Sequence, residues 1–195
     1  MAKRSAPDFL LLIICGILLV VGILILASVS SSFSLQRTGT SFYFLNHQLL
    51  FGLVPGLLLG AMAFFAPLSL FKKWSFLLLL LNIVLLALVF VPGIGEEIGG
   101  AHRWIYLGPI SFQPSELLKL TFVLYMASWL AAHASSAKKG SFKQTLAPFA
   151  VIMTMVSMFL ILQPDVGTLG VIAATGLAMY FLGGTPLWHT LALMG

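Results

Sequence analysis

Charge is what this sequence has least of. Of its 195 residues 8% are charged and 60% are hydrophobic, and the mean hydropathy is +1.09. A soluble domain carries roughly 25% charged residues. A water-soluble fold with a third of that share would expose apolar patches large enough to aggregate, so lipid is the expected solvent. Cysteine is scarcer still: Cys15 stands alone in an apolar run, which excludes an intramolecular disulfide and makes a core position the plain reading. There is no Walker loop, dinucleotide fingerprint or nucleophile elbow. His47, His102, His133 and His189 have no metal-ligand spacing. The net charge of +5 is spread in small groups between long apolar runs, which argues against a nucleic-acid partner.

Long apolar runs are what the sequence has in abundance. A helix needs about 20 apolar residues to cross a bilayer core. Residues 9–29 meet that length, and they exceed the roughly 7–15 residues of a signal-peptide core, so an uncleaved span is expected. A serine-rich loop is expected over residues 30–46, a second span over 47–66 ending before Pro67, and a third over 74–91 after Lys72 and Lys73. A polar, glycine-rich segment follows over 92–113, and a fourth span over 114–133. Residues 145–182 form a 38-residue apolar stretch broken only around Gln163-Pro164-Asp165. As one helix that stretch would be about 57 Å long, nearly twice a roughly 30 Å core, so it divides into two spans turning near Pro164 and Gly167. The expected architecture is an all-α polytopic membrane protein, one membrane domain over 1–195, with six transmembrane helices and the start of a seventh near Trp188.

Loop charge sets the orientation. With the N-terminus cytoplasmic, the inner segments hold Lys3, Arg4, Lys72, Lys73, Lys138, Lys139 and Lys143, and the outer loops hold Arg37 and Arg103. That bias satisfies the positive-inside rule. Glu96, Glu97, Glu116 and Asp165 then fall near the outer face, and Asp8 inside.

Three constellations at the outer face could carry chemistry. The first runs from Gly100-Ala101-His102-Arg103-Trp104 onward, too aromatic for a plain solvated loop, and a short amphipathic or re-entrant element is expected there. Arg103 presents a planar fork suited to phosphate or carboxylate; the plain alternative is an interfacial anchor snorkelling to headgroups. The second is the start of the fourth span. Pro114 suits the first helical position, Glu116 suits the positive end of the helix dipole, and Lys119 lies at i+3 within pairing reach. Ionisable residues within a span are functional candidates, with snorkelling as the alternative. The third is Gln163-Pro164-Asp165-Val166-Gly167-Thr168. Here Asp165 either caps the sixth span or partners Arg103 or Lys119 across an outward cavity.

Taken together, residues 100–108, then Ser111-Phe112-Gln113-Pro114-Ser115-Glu116-Leu117-Leu118-Lys119, then residues 163–168 closely resemble the SEDS family of FtsW, RodA and SpoVE, and within it the FtsW branch. The resemblance covers residues 9–195. It implies a peptidoglycan glycosyltransferase of about ten spans in the bacterial cytoplasmic membrane, polymerising lipid II at the outer face beside a class B penicillin-binding protein. It implies Arg103, Trp104, Gln113, Glu116, Lys119, Gln163 and Asp165 as substrate-binding candidates. A divalent cation is a family analogy, and no metal ligand is assigned. The family's catalytic aspartate lies in a large outer loop after the seventh span, beyond Gly195, and Asp165 belongs to a different motif. The chain is therefore expected to be an N-terminal half, inactive alone. Two other functions fit the same outer cavity: a lipid II flippase, and a non-catalytic scaffold recruiting the penicillin-binding protein.

Overall fold

The computed structural model describes residues 7–98, 100–107, 110–134 and 145–185. Its contacts divide the chain into two compact units, Met1–Ala66 and Pro67–Gly195.

The first unit opens with α1 (Phe9–Thr38), which continues well past the expected end of the first span. The serines explain the extension. Ser30 donates to Leu26 O at 2.6 Å, Ser31 to Ser28 O at 3.1 Å and Thr38 to Ser34 O at 2.8 Å. Hydroxyls satisfied on the preceding turn need no water, so a serine run stays helical in an apolar setting. The expected loop over 30–46 therefore shrinks to the few residues after Thr38. Asp8 caps the start, accepting from Leu11 N–H at 3.1 Å. Gly39 closes the end in the left-handed region, φ 75°, donating to Leu35 O at 3.0 Å.

A helical rod then runs through α2 (Tyr43–Gln48), a π turn at Leu49–Leu53 and α3 (Val54–Phe65). Pro55 accounts for the widened turn. A proline inside an α-helix removes one donor and drives its ring against the carbonyl four residues back. The Val54 N–H instead reaches Leu49 O, five residues back, which opens room for the ring.

The second unit comprises α4 (Leu68–Leu88), a three-stranded antiparallel sheet, α5 (Pro114–Ala134), α6 (Ala147–Leu162) and α7 (Val166–Leu182). Lys72 and Lys73 lie on α4 rather than in a connecting loop, because the helix starts directly after Pro67. The core is a set of helical stripes. Leu118, Phe122 and Met126 repeat every four residues on α5; Val156 and Leu160 do so on α6, and Thr168, Ile172, Gly176 and Tyr180 on α7. At Gly176 a Cβ would lie 2.9 Å from Met153 Sδ and 3.1 Å from Phe122, so the glycine is what lets α7 approach α5 and α6 closely.

The fold is predominantly helical as expected, with one small three-stranded sheet added to it. In place of the amphipathic or re-entrant element expected from Gly100 onward, the segment holds β1 (Gly95–Ile98), β2 (Ala101–Leu107) and β3 (Ile110–Phe112). Pairing and composition explain it: β2 pairs antiparallel with β1 on one side and β3 on the other, and Trp104, Ile105 and Tyr106 are aromatic and β-branched residues that suit a pleated ladder. Gly95 makes the entry possible, since a Cβ there would stand 1.8 Å from Val89 O. Among the described residues, three helical stretches, Phe9–Thr38, Tyr43–Phe65 and Leu68–Leu88, are long and apolar enough to cross a membrane. Of the residues that argued orientation and a seventh span, Lys3, Arg4, Lys138, Lys139, Lys143 and Trp188 lie outside the described residues.

Candidate functional site

The α6–α7 turn gathers the polar groups. Helix α6 ends at Leu162, leaving carbonyls without intrahelical donors, and α7 begins at Val166 with unpaired N–H groups. Arg103 serves the first set. Its Nε donates to Gln163 O at 2.9 Å, and its Nη2 donates to Pro164 O. A guanidinium there also meets the negative end of the α6 dipole. The strand is built to deliver it. Pairing between β1 and β2 steps from Glu96↔Trp104 to Glu97↔His102, leaving Arg103 as the bulged, unpaired residue. A bulge of this kind re-aims a side chain.

Asp165 serves the second set. Its Oδ1 accepts from Thr168 N–H at 3.2 Å as the N-cap of α7. Its Oδ2 accepts from Ser115 Oγ at 2.8 Å and from Gln113 Nε2 at 3.4 Å. Partial burial raises the carboxyl's pKa. Hydrogen bonds from Ser115 and Thr168, with the Arg103 charge, together outweigh that burial and hold it below the ordinary value. The result is a carboxylate that stays ionised and is a poor proton acceptor.

Two amides extend the network. Gln163, fully buried, donates from Nε2 to Leu86 O at 3.0 Å, near the end of α4 where helix carbonyls lack donors. Asn82, also fully buried, donates to Pro114 O at 3.2 Å and ties α4 to the start of α5. Arg103, Gln113, Gln163 and Asp165 thus converge in one network.

Glu116 and Lys119 stand apart from it. They form the expected i, i+3 ion pair, 2.8 Å between Nζ and Oε2, with side chains 59% and 35% exposed. Trp104, half-buried on β2 opposite Glu96, belongs to neither group. Sequence reasoning named Arg103 for its fork, and the fork is used, but on two backbone carbonyls. It passed over Ser115 and Thr168 as site residues. The available signal was that Ser115 continues the Leu118–Phe122–Met126 stripe at its outer end, where a hydroxyl replaces an apolar side chain.

The model of the family described as cell cycle protein, FtsW/RodA/SpoVE, matches residues 9–195. The chain belongs to this family. A relative from Saccharophagus degradans, named a probable peptidoglycan glycosyltransferase FtsW, is 37% identical over 189 residues, covering 95% of this chain and 47% of its own length. The chain thus spans about half the length of the curated relatives it matches. Among solved structures, the rod shape determining protein RodA of Thermus thermophilus is 30% identical with a TM-score of 0.66, over 88% of this chain and 56% of its own. A peptidoglycan synthase complex that coordinates polymerization and crosslinking aligns at 30% identity and a TM-score of 0.57, over 77% of this chain and 44% of its own.

The described side chains do not assemble the divalent-cation site that the family analogy raises. Both oxygens of Asp165 are engaged by donors, Glu116 is held by Lys119, and no three His, Cys, Asp or Glu residues converge among the described residues.

Proposed function

We propose that the chain is part of a peptidoglycan glycosyltransferase that polymerises lipid II at the outer face of the bacterial cytoplasmic membrane, beside a class B penicillin-binding protein. In this reading residues 1–195 belong to one membrane domain of six spans with a cytoplasmic N-terminus. The names borne by the FtsW relative and by the synthase complex support the activity and the partner. One structural observation carries the site: Glu116 and Lys119 are an exposed ion pair beside a polar network whose charges are already engaged internally.

Chain growth joins a sugar hydroxyl to an anomeric carbon and expels a lipid-linked pyrophosphate. The reaction needs a base on the hydroxyl and positive charge on the leaving group. Lys119 is the cation placed to meet the leaving group, because its ammonium, held by Glu116, can pass to phosphate oxygens as substrate enters. Trp104 offers an aromatic surface at the same strand as the Arg103 cap. Asp165 is held ionised by its donors and does not supply the base, and no base is assigned among the described residues. In the protein at its natural length, reconstituted with its partner in proteoliposomes, Lys119→Ala should weaken lipid II use on the order of 10- to 150-fold, the scale of one lost charge-assisted contact. Polymerisation and lipid translocation are measured side by side. Translocation without polymerisation in the wild type would replace this reading with the flippase, and loss of neither in Lys119→Ala would remove the pair from the site.

A further inference from the structure

Helix α5 has two kinds of anchorage. From Leu118 onward it is held by the apolar stripe of Leu118, Phe122 and Met126, each fully buried. Its first turn, Pro114–Leu117, precedes those three residues, and there the stripe ends in the hydroxyl of Ser115 rather than an apolar side chain. A first helical turn carries unpaired N–H groups and frays by default. Here it is pinned by two polar contacts, Asn82 Nδ2 on Pro114 O at 3.2 Å and Ser115 Oγ on Asp165 Oδ2 at 2.8 Å. Ser115 is fully buried, although its neighbour Glu116 has a side chain 59% exposed. The ion pair therefore bridges two regimes, with Glu116 on the pinned turn and Lys119 on the turn that packing already holds.

Resting on the glycosyltransferase reading, we propose that Ser115 is a positioning residue: its hydrogen bond to Asp165 fixes the first turn of α5 so that Glu116 holds Lys119 in place for the pyrophosphate of the lipid-linked substrate. Three features make Ser115 the point of control. Its hydroxyl reaches across from α5 to the cap of α7, so it couples the turn to a different helix. Asp165 is itself fixed by Thr168 N–H on its other oxygen, and so offers a rigid acceptor. Gln113 Nε2, at 2.9 Å from Ser115 Oγ and 3.4 Å from Asp165 Oδ2, sets the direction in which the hydroxyl points. Losing the hydroxyl would leave the fold of the four helices standing on its apolar stripes, while Glu116 gained freedom relative to Lys119.

The test is a double-mutant cycle in the natural-length protein with its partner, read as lipid II polymerisation kinetics. Ser115→Ala is expected to raise the apparent KM for lipid II about three- to tenfold, the scale of one hydrogen bond, with kcat within about twofold. Ser115→Thr keeps the hydroxyl and should restore most of the wild-type KM. Decisively, Ser115→Ala placed on Glu116→Gln should add little to the effect of Glu116→Gln alone, because it acts through that residue. Full additivity would overturn the proposal, as would a wild-type KM in Ser115→Ala. A fall in kcat and folded yield at constant KM, uncorrected in Ser115→Thr, would assign Ser115 a structural part only and overturn it too. If Glu116→Gln and Lys119→Ala both retained the wild-type KM, the substrate role of the pair would fail first. That outcome is distinct from a pair that matters while Ser115 does not.

Discussion

The two units of the chain solve different problems with much the same residues. Among the described residues of Met1–Ala66, Ser34 alone is buried, and it is polar: its hydroxyl donates to Thr40 O at 2.6 Å and accepts from Tyr43 N–H at 3.1 Å. The apolar side chains of α1 and α3 stay largely exposed. In Pro67–Gly195 a dozen buried apolar residues form a core, and a hydrogen-bond network spans four helices and the sheet. Hydrophobicity therefore says little about helix contacts in such a chain. Lipid tails are as apolar as leucine, so burial against protein gains only packing, while small residues and hydrogen bonds decide which helices touch. The first unit's sequence specifies an environment, and the second's specifies neighbours.

A matched pair of phenylalanines tests that contrast at its strongest. Phe122 on α5 is fully buried and Phe64 on α3 is 62% exposed. Phe122→Ala should lower stability by about 3 kcal/mol, chiefly through the cavity it leaves. Phe64→Ala should change it by no more than about 0.5 kcal/mol. Thermal unfolding of both variants in one detergent gives the comparison, and equal losses would erase the distinction between the units.

Removing Asp165 should come next in size. Asp165→Ala deletes a helix cap and the acceptor for Ser115 and Gln113, and about 2–3 kcal/mol is expected. The pH dependence sharpens it. A carboxyl whose folded pKa is depressed stabilises fully above its ordinary value of 3.8 and loses that contribution as pH falls through the lower folded value. The stability gap between wild type and Asp165→Ala should accordingly be constant from about pH 8 to 5 and close only in stronger acid. A gap that closed between about pH 7 and 5 would mean that Asp165 is not a charge-stabilised cap. The smallest effect should belong to Glu116→Gln, whose exposed i, i+3 pair supports the helix by about 0.2–0.5 kcal/mol. Should that variant unfold as readily as Asp165→Ala, the pair would be part of the network rather than apart from it.

Much of this was legible in the residues. Pro67, Pro114 and the Gln163-Pro164-Asp165 break mark helix boundaries because proline lacks a donor and restricts its predecessor, and such effects are local. The i, i+3 pair of Glu116 and Lys119 was legible for the same reason, since helix geometry alone brings them together. The serine run of α1 reads as a loop because a hydroxyl's partner can be its own helix, which composition does not reveal. The sheet over 95–112 escapes notice because aromatic residues suit an interface as well as a strand.

Sequence by itself determined that the chain needs lipid, where its helices break, which residues could pair along a single helix, and which family's motifs it carries. Tertiary structure alone decided what Arg103, Asp165 and Ser115 do. Arg103 and Gln163 are 60 positions apart, and Ser115 and Asp165 are 50. A guanidinium fork binds two carbonyls as readily as a phosphate, and a carboxylate caps a helix as readily as it meets a cation. Side-chain chemistry fixes what such groups can bind, but only the packing of α4 to α7 fixes which partner lies within about 3 Å.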